Sequence, residues 1–234
     1  NLTPEGAIGS ILLSNQQQID GDLFVDCTGF SSLLLGQALE VPFISADKVL
    51  FNDSALALHM PYESGTSPIA SHTIATGQNA GWIWDIGLTH RRGVGHVYSS
   101  QYLSDDEAEA NLRRYLGPTS DDIPVRKISF KSGHRAQVID FLKLHYMLTK
   151  RPEPYWQAHT DPDSIPDSLK EDLALWKFRG PISADFDAAI ELFPAASYQY
   201  VLYGMGFKRD FSRQAHLYNQ QQNAQKVMLR NQQL

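Results

Sequence analysis

The sequence has a single cysteine, Cys27, among its 234 residues, so it has no internal disulfide. This is typical of proteins of the reducing cytoplasm, where we expect this protein to work. Long apolar runs are also absent. The longest, around residues 33–35 and 201–203, fall far short of the roughly 20 residues of a membrane-spanning helix. The chain opens without the basic and then apolar pattern of a secretory signal, so we expect no membrane association.

An excess of positive charge is lacking as well. The formal net charge is -6 at pH 7, whereas a nucleic acid requires a basic face, so we expect no nucleic-acid partner. The hydrophobic fraction of 42% and the charged fraction of 20% are ordinary for a soluble globular protein. A chain of this length can bury a sizeable core in one large domain or two small ones.

Several motifs that would reveal a chemistry are missing. The eight histidines, including His90 and His96, lack the usual spacing of metal ligands, so we expect no metal. The segments Gly93–Gly95 and Gly204–Gly206 each lack the third glycine of a dinucleotide phosphate cradle. No Gly-x-Ser-x-Gly motif marks a nucleophilic serine, although a Ser/His/Asp triad assembled from distant residues stays open.

The first part of the chain has the pattern of β structure. The apolar run Asp22–Cys27, bounded by Gly21 and Gly29, is typical of a buried strand. Cys27 is then expected to be a packed thiol rather than a nucleophile. The strand ends in Thr28 and Gly29, where either a ligand approaches the backbone closely or the chain simply turns.

Two tryptophans alternate along a second strand-like run, Gly81–Ile86. Because side chains alternate across a strand, Trp82 and Trp84 share one face. Two aromatic rings on one face are most simply core residues, and the alternative is a wall of a ligand site. The segment Arg91–Gly95 then predicts a hairpin loop that leads into another strand.

The second half of the chain has helical patterns. Ser104 with Glu107 predicts a capping box at the start of one helix, and Ser168 with Glu171 predicts another. Further helical segments are expected over residues 138–150, 185–193 and 214–234, the last of which is a terminal helix or a frayed end. A β-rich half followed by a helical half predicts an α/β or α+β fold.

The most specific pattern is Gly-Trp-Ile-Trp-Asp-Ile at residues 81–86. It resembles the Gly-Trp-x-Trp-x-Ile-Pro signature of flavin-dependent tryptophan halogenases, and Leu23–Phe30 resembles the strand that precedes this signature in that family. Further matches follow in the family's order at Val97–Ser100, Phe141–Tyr146, Pro166–Leu169 and Leu202–Gly206. The resemblance runs from about residue 5 to about residue 206.

The resemblance implies an FAD/NAD(P)-binding α/β domain like that of flavin monooxygenases, with a mostly helical substrate region. Residues 1–137 would then belong to the FAD-binding domain with its β-sheet, and residues 138–234 to the substrate side. It also implies that a separate flavin reductase supplies reduced FAD. With O2 and a halide ion, chloride or bromide, the reduced FAD gives hypohalous acid, which halogenates a small electron-rich aromatic such as an indole. A homodimer is compatible with this assignment.

The same resemblance assigns roles to particular residues. Thr28 and Gly29 are expected on the cofactor side. Trp82 and Trp84 are expected beside the flavin, where they keep organic substrate away from it. Phe193 is expected to supply an aromatic wall of the substrate site.

Departures from the family pattern bear on catalysis. The family's glycine-rich FAD fingerprint and catalytic lysine would lie upstream of residue 1. Its catalytic glutamate belongs to a segment that follows the counterpart of Ile128–Gly133, but here residues 135–137 lead straight into a predicted helix, about sixty residues short of the family layout. No catalytic residue is therefore assigned in this chain. Either the encoded protein contains further residues here, or the chain is a non-functional remnant.

Two smaller departures concern the substrate. Gly87 replaces the proline of the signature and loosens that turn. The tyrosine pair and glutamate that hold free tryptophan in well-known members have no counterpart between Ile182 and Glu191. We therefore expect indole or another electron-rich ring to be preferred over free tryptophan.

Two other functions remain as alternatives. One is a flavin monooxygenase of the same fold that hydroxylates its substrate, and the tryptophan pair disfavours it because a hydroxylase must let its organic substrate reach the flavin. The other is a non-catalytic relic that binds a partner or a small aromatic.

Overall fold

A computed structural model describes residues 1–134, 138–186 and 192–210. The chain divides into two compact units, the first made of residues 1–139 and 151–158 and the second of residues 140–150 and 159–234. Strands dominate the first unit and helices the second, which confirms the predicted mixed α/β class. The assignment of residues 1–137 to a cofactor domain and 138–234 to a substrate side stays a prediction.

An antiparallel sheet organises the first unit. The strands of this unit are β1 (Ser10–Leu12), β2 (Gln18–Asp20), β3 (Ile44–Ser45), β4 (Ser54–Pro61), β5 (Ile74–Gln78), β6 (Gly81–Gly87), β7 (Arg91–Tyr98), β8 (Arg126–Ser129) and β9 (Gly133–His134). Within the described residues, five of them form one sheet in the order β5-β6-β7-β4-β8. The short pairs β1–β2 and β3–β9 lie outside it. Side chains alternate in direction along β4, β6 and β7, so neighbouring residues of each strand lie on opposite faces of this sheet.

Helix α1 (Asp105–Leu116) covers one face of the sheet. Its buried residues Ala108 and Leu112 pack on that face, and the buried ring of His96 meets the carbonyl oxygen of Ala108 at 3.1 Å. The capping box at Ser104 and Glu107 is confirmed: the Glu107 carboxylate accepts from the Ser104 amide at 3.0 Å, and the Ser104 hydroxyl accepts from the Glu107 amide. The helix start is therefore fixed locally, and its apolar stripe closes the core.

A short helix, α3 (Pro154–Ala158), returns to the first unit. Tyr155 and Trp156 are both buried. The Tyr155 hydroxyl donates to the side-chain oxygen of Asn52 at 2.8 Å, and the Trp156 indole N–H donates to the carbonyl oxygen of Gln78 at 2.7 Å. Because each polar tip has an acceptor, both large rings can be buried without an unsatisfied N–H or O–H.

The expected buried strand at Asp22–Cys27 is wrong. These residues belong to no sheet, and Leu23 and Val25 are 84% and 74% exposed. Cys27 is likewise an exposed free thiol and not a packed one. The apolar run has the composition of a strand, but a strand becomes buried only when neighbouring strands and a covering layer are present.

The predicted hairpin loop at Arg91–Gly95 is also wrong, because these residues form the first part of β7. The turn between β6 and β7 lies at residues 88–90, where Leu88 donates its amide to the carbonyl oxygen of Arg91 at 2.9 Å. Glycines at 93 and 95 suggested a turn, but both lie within β7, where Gly95 packs closely against Trp84 and Gly93 has open space beside it.

The second unit is built around α2 (Ile139–Met147), α4 (Asp167–Trp176) and α5 (Ala195–Gly204). Their apolar faces meet in one hydrophobic cluster, whose buried members are Phe141, Leu144, Leu169, Trp176, Tyr198 and Leu202. The indole N–H of Trp176 donates to Asp185 at 3.0 Å, and Arg179 forms an ion pair with the same carboxylate. The predicted capping box at Ser168 and Glu171 is wrong: α4 starts after Pro166, and the Ser168 hydroxyl donates to Asp140 instead.

A buried lysine lies on α2 in the second unit. The Lys143 ammonium is within 3.1 Å of the His159 Nδ1 atom and donates to the Ser164 hydroxyl at 2.9 Å. Tyr146 stacks on the His159 ring with 4.7 Å between ring centroids. Burial lowers the pKa of Lys143 to about 8. Burial, together with the nearby charge of Lys143, lowers the pKa of His159 to about 3.

Two of the expected helical segments cannot be compared fully with the structure. The segment 214–234 lies outside the described residues, as do residues 187–191 of the segment 185–193. Within the described residues, Ser183–Asp185 forms a single 3-10 turn. None of the helices described is both long and apolar enough to span a membrane.

We predict that acid destabilises the second unit through His159. Its pKa is about 3 in the folded chain and 6.5 ordinarily, so the unfolded chain binds a proton first as the pH falls. The stabilising contribution is complete above pH 6.5 and is lost between pH 6.5 and about 3, at about 1.4 kcal/mol per pH unit once the unfolded histidine is protonated.

Urea unfolding at about pH 7.5 and about pH 5 measures this loss. In His159→Gln, which keeps a polar side chain but does not titrate, we expect a smaller loss of unfolding free energy than in the wild type. The exposed His90→Gln is the matched control and should behave like the wild type. An equal loss in wild type and His159→Gln would contradict the prediction.

Candidate functional site

The tryptophan pair lies in the first unit's sheet on β6, which is paired with the edge strand β5 on one side and with β7 on the other. Trp82 is paired with Gly77 of β5 and Val97 of β7, and Trp84 with Ala75 and Gly95 of the same strands. Both indoles are half-buried on one face, whereas Ile83 and Asp85 are buried on the other. The predicted alternation is therefore confirmed, and the indoles lie on the face opposite α1.

The two indoles contact each other edge to face. Their ring centroids are 6.3 Å apart and the ring planes are inclined by 66°. This geometry places the positive edge of one ring against the negative face of the other, and such a pair contributes about 0.5–1.5 kcal/mol beyond its buried area. The pair is thus a fixed aromatic wall and not two independent side chains.

Gly95 makes room for this wall. A Cβ at this position would overlap the Trp84 indole and lie 2.6 Å from the carbonyl oxygen of Leu56. The β4 residues that pair with this part of β7 are also small: Ala57 is opposite Gly95, and Ala55 is opposite Val97. Trp84 therefore lies directly over Gly95, and position 95 accepts only glycine. The local sequence around Gly95 resembles a turn, and this role depends on a side chain of another strand, so the sequence alone does not reveal it.

The opposite face of β6 carries a buried ion pair. The Asp85 carboxylate accepts from the Arg92 Nε–H at 3.0 Å, from a second Arg92 nitrogen, and from the Tyr115 hydroxyl at 3.1 Å. The bond to Asp85 raises the pKa of Arg92. Asp85 and Arg92 line a cleft of about 310 Å³ together with Tyr62 and other residues. Arg92 is committed to Asp85, so we assign this cleft a structural role in holding the end of β6.

The second predicted pair, Thr28 and Gly29, lies in an exposed turn that Asp26 organises. Asp26 accepts from the Thr28 amide and hydroxyl at 3.1 and 2.6 Å and from the Leu34 and Leu35 amides at 3.0 and 2.9 Å. The hydrogen bonds from Leu35 and Thr28 lower the pKa of Asp26 to about 2. Four donors on one carboxylate fix the turn at every pH near neutrality.

Gly29 adopts a left-handed conformation in this turn, with φ of +62°. No atom lies within 4 Å of where its Cβ would be, so one side of the backbone is open. The neighbouring Phe30 is 76% exposed, and its ring stacks on Phe130 with a centroid distance of 5.7 Å and planes inclined by 3°. The turn therefore presents open backbone beside a pair of parallel aromatic rings.

The structure joins some of the predicted site residues and separates others. Trp82 contacts Trp84 on the sheet, whereas Thr28 and Gly29 share a turn outside it. Phe193 belongs to the second unit, where its ring stacks on Phe141 at 4.0 Å and packs on the hydrophobic cluster. A role of Phe193 in substrate binding stays a prediction. Among the described residues, no cluster of three or more histidine, cysteine or acidic side chains could hold a metal.

The sequence of this chain is similar to those of tryptophan halogenases. The sequence profile described as tryptophan halogenase matches residues 1–140 and 136–220. The tryptophan 6-halogenase of Streptomyces toxytricini is 31% identical over 266 residues, which cover 88% of this chain and 51% of that protein. A 7-chloro-L-tryptophan 6-halogenase from a Kutzneria species is 46% identical over 132 residues, or 56% of this chain and 26% of that protein.

The fold is similar to solved halogenases too. The tryptophan halogenase of Shewanella frigidimarina superposes with a TM-score of 0.85 at 36% identity, covering 99% of this chain and 56% of that chain. The chain therefore belongs to the tryptophan halogenase family, and the fold expected from the resemblance is confirmed. The chain spans about half the length of the two relatives whose alignments include most of its residues.

The chain also differs from one of these relatives in length within the matched range. The alignment with the Streptomyces toxytricini protein is 266 residues long, which exceeds the 234 residues of this chain. That relative therefore has residues within the matched range that this chain lacks. The family profile matches in two stretches that meet at residues 136–140. These two stretches overlap at residues 136–140, next to the place where the sequence predicts a missing segment, and that place stays a prediction.

We predict that enlarging residue 95 displaces the tryptophan wall. Gly95→Ala should lower the free energy of unfolding by about 1–3 kcal/mol, because the added methyl group overlaps Trp84 and cannot be relieved on the backbone side. Tryptophan fluorescence should shift as the indole moves. Gly93→Ala is the matched control, since Gly93 faces the same side of β7 with no atom within 4 Å of its Cβ position. The control should stay within about 0.5 kcal/mol of the wild type, and an equal effect of both substitutions would contradict the assignment.

Proposed function

We propose that this chain is part of a flavin-dependent halogenase that uses reduced FAD, O2 and chloride or bromide to halogenate an electron-rich aromatic such as an indole. The observation that carries the proposal is the Trp82–Trp84 wall, held edge to face on β6 in a chain that belongs to the tryptophan halogenase family. Relatives at 31% and 46% identity are named as a tryptophan 6-halogenase and a 7-chloro-L-tryptophan 6-halogenase, which supports the same reaction class.

The residues present fit an FAD in part. The turn at Thr28 and Gly29 offers an open backbone in a fixed conformation, beside the exposed ring of Phe30. Such a surface suits a planar and uncharged group better than a diphosphate, because no cationic side chain organises the turn. We assign Thr28 and Gly29 to the flavin side of the cofactor. When bound, reduced FAD would supply two of the four electrons that reduce O2, and the halide the other two, giving hypohalous acid and water.

In this proposal, the tryptophan pair of the chain excludes the organic substrate from the flavin. Trp82 and Trp84 are half-buried, Trp84 lies over Gly95, and Trp82 contacts Trp84 edge to face. In the proposed enzyme they separate the aromatic substrate from the flavin and leave passage for an ion or a small acid. This separation favours halogenation over the alternative, a hydroxylase, in which substrate must reach the flavin.

The substrate side is proposed to lie in the second unit. Phe193 is half-buried against Phe141, so part of its ring surface remains available to an aromatic substrate.

Gly87 stands where the signature has proline, and a Cβ there would lie 2.8 Å from Ile69 and 3.2 Å from the carbonyl oxygen of Ala70. Glycine thus lets the segment before β5 pack closely on the end of β6. We propose that glycine in place of proline at position 87 goes together with a preference for indole over free tryptophan as the substrate.

The partners follow from the same chemistry. We propose that a separate flavin reductase delivers reduced FAD by diffusion, and that the enzyme works in the cytoplasm. The family resemblance implies a catalytic lysine and a catalytic glutamate that are not assigned to any of these 234 residues, so we propose halogenation for the complete protein and not for these residues alone. A relic without catalysis is the alternative if the complete reading frame contains no such residues.

We predict a brominated product from the complete encoded protein. The assay contains a flavin reductase, NADH, FAD, bromide and indole, and the product mass is measured. A bromine isotope doublet is expected, whereas a single added oxygen would identify a hydroxylase and the absence of any product would identify a relic. Omitting bromide is the control for the halide.

In the same assay we expect indole to be brominated faster than tryptophan at equal concentration. The comparison needs only the two initial rates. A clear preference for the amino acid would refute the proposed substrate class while leaving the halogenase assignment intact.

A further inference from the structure

The sheet itself closes one side of the Trp84 indole. A Cβ at residue 95 would overlap the Cζ2 and Cη2 atoms of Trp84, so these two carbons of the benzene ring lie directly on the backbone of β7. The carbonyl oxygen of Leu56 is 2.6 Å from the same Cβ position. These contacts all lie within the first unit. This side of the benzene ring is therefore closed to a reagent as long as β6 and β7 are paired.

The pyrrole ring of Trp84 is open to water. Among the described residues its indole N–H donates to no acceptor, and it is not one of their buried polar atoms that lack a partner. Its neighbour on β5, Ala75, is exposed. Ile86, the next residue of β6 on the same face, is 39% exposed. The reactive side of this indole is thus its pyrrole side.

Two of the other tryptophans are buried with their polar groups bonded. Trp156 is 7% exposed, and its indole N–H donates to the carbonyl oxygen of Gln78 at 2.7 Å. Trp176 is fully buried, and its indole N–H donates to Asp185 at 3.0 Å. A reagent in water reaches such rings only when the chain opens locally.

The segment that contains α3 packs on the sheet beside Trp82. Trp82 is paired with Gly77, and a Cβ at Gly77 would lie 3.6 Å from the Trp156 ring and 3.4 Å from the Arg151 guanidinium. The neighbour of Trp84 on β5 is exposed instead. Of the four tryptophans in the chain, Trp84 therefore has the most open pyrrole ring.

An indole beside the flavin has a chemical consequence in the proposed enzyme. The double bond between C2 and C3 of the pyrrole ring is the part of an indole that an electrophilic halogen attacks most readily. In the proposed function, hypohalous acid forms at the flavin and passes the tryptophan wall. The open ring of Trp84 thus lies beside the path of the acid and is the same kind of ring as the proposed substrate.

We propose that Trp84 is itself a target of the hypohalous acid, which oxidises its pyrrole ring to an oxindole. This inference rests on the proposed function, which supplies the acid. The halogen bonds to C3 as hydroxide leaves it, and water then adds to C2 with loss of a proton. Halide leaves C3 and a proton leaves C2. The ring thereby loses two electrons to the halogen, and the net products are an oxindole and a hydrogen halide.

The modification alters the wall. The pyrrole ring of an oxindole is no longer aromatic, because C3 is tetrahedral and C2 carries a carbonyl oxygen. The edge-to-face contact between Trp82 and Trp84 would therefore weaken as the acid accumulates. An organic substrate consumes the acid, so it should protect Trp84 during turnover.

Hypobromous acid used as a reagent tests the reactivity of Trp84 without turnover. The 234-residue chain receives an equimolar amount of the acid in water labelled with heavy oxygen. Cys27 is alkylated beforehand, because an exposed thiol would consume the acid. We expect Trp84 to take up heavy oxygen at least about tenfold faster than Trp156 and Trp176, because those buried rings react only after local opening.

Fragment masses of the peptides separate residue 82 from residue 84. A tryptic digest of the same chain is the control, in which all four tryptophans should react at similar rates because the fold is gone. Faster uptake by Trp82, Trp156 or Trp176 in the intact chain would overturn the proposal. Equal uptake by all four in the intact chain would overturn it as well.

A matched variant checks that the pyrrole ring is responsible. Trp84→Phe keeps an aromatic ring in the wall but has no pyrrole ring. With the same amount of acid, the uptake of heavy oxygen by tryptophan should fall to the level of the buried Trp156. Uptake by the remaining tryptophans that equals that of the wild type would contradict the assignment to Trp84.

Turnover of the complete protein separates this inference from the proposed function. The protein is mixed with a flavin reductase, NADH, FAD and bromide, once without organic substrate and once with indole. We expect oxygen on Trp84 in the first reaction, several-fold less in the second, and none when bromide is omitted. A protein that brominates indole yet leaves Trp84 unmodified when indole is omitted would overturn the inference alone. If no bromoindole forms, the proposed function fails, and the reagent experiment decides about Trp84.

Discussion

The seat of Trp84 on Gly95 is the contact on which the proposed site depends. Because β6 and β7 pair in strict register, the indole on one strand lies over the backbone of the other, and a single methyl group at position 95 would separate them. The same register turns Ile83 and Asp85 toward α1, where burial and the ion pair with Arg92 hold the strand in place. One face of the sheet thus provides the stability that lets the opposite face hold a fixed aromatic wall.

Much of the first unit could be predicted from local patterns. The alternation at residues 81–86 placed both indoles on one face, and Ser104 with Glu107 marked the start of α1, because these features depend on neighbours only a few residues away. Gly95 was missed since its role depends on a side chain in another strand. The strand expected at residues 22–27 failed for a related reason: its sequence specifies burial, but burial requires layers that the local pattern does not contain.

In the second unit, too, contacts between residues distant in sequence decide features that local patterns do not predict. Helical spacing predicted α2, but it gave no sign that Lys143 would be buried with His159 and Ser164, because those partners come from a loop that follows at a distance. Likewise Ser168 had the right spacing to Glu171 for a cap, yet it bonds to Asp140 on α2. Tertiary contacts chose between the alternatives that the sequence left open.

The strand order has a consequence for how the first unit folds. Strands β5, β6 and β7 follow one another as adjacent hairpins, so their contacts join residues close in sequence. Strand β4 precedes them, yet it must pair with β7 on one side and with β8 on the other. Short loops close at a lower entropic cost than long ones, so the three-strand meander can form first, and β4 and β8 complete the sheet later. Trp84 would then lie over Gly95 before β4 and β8 are in place, because both residues belong to the three-strand meander.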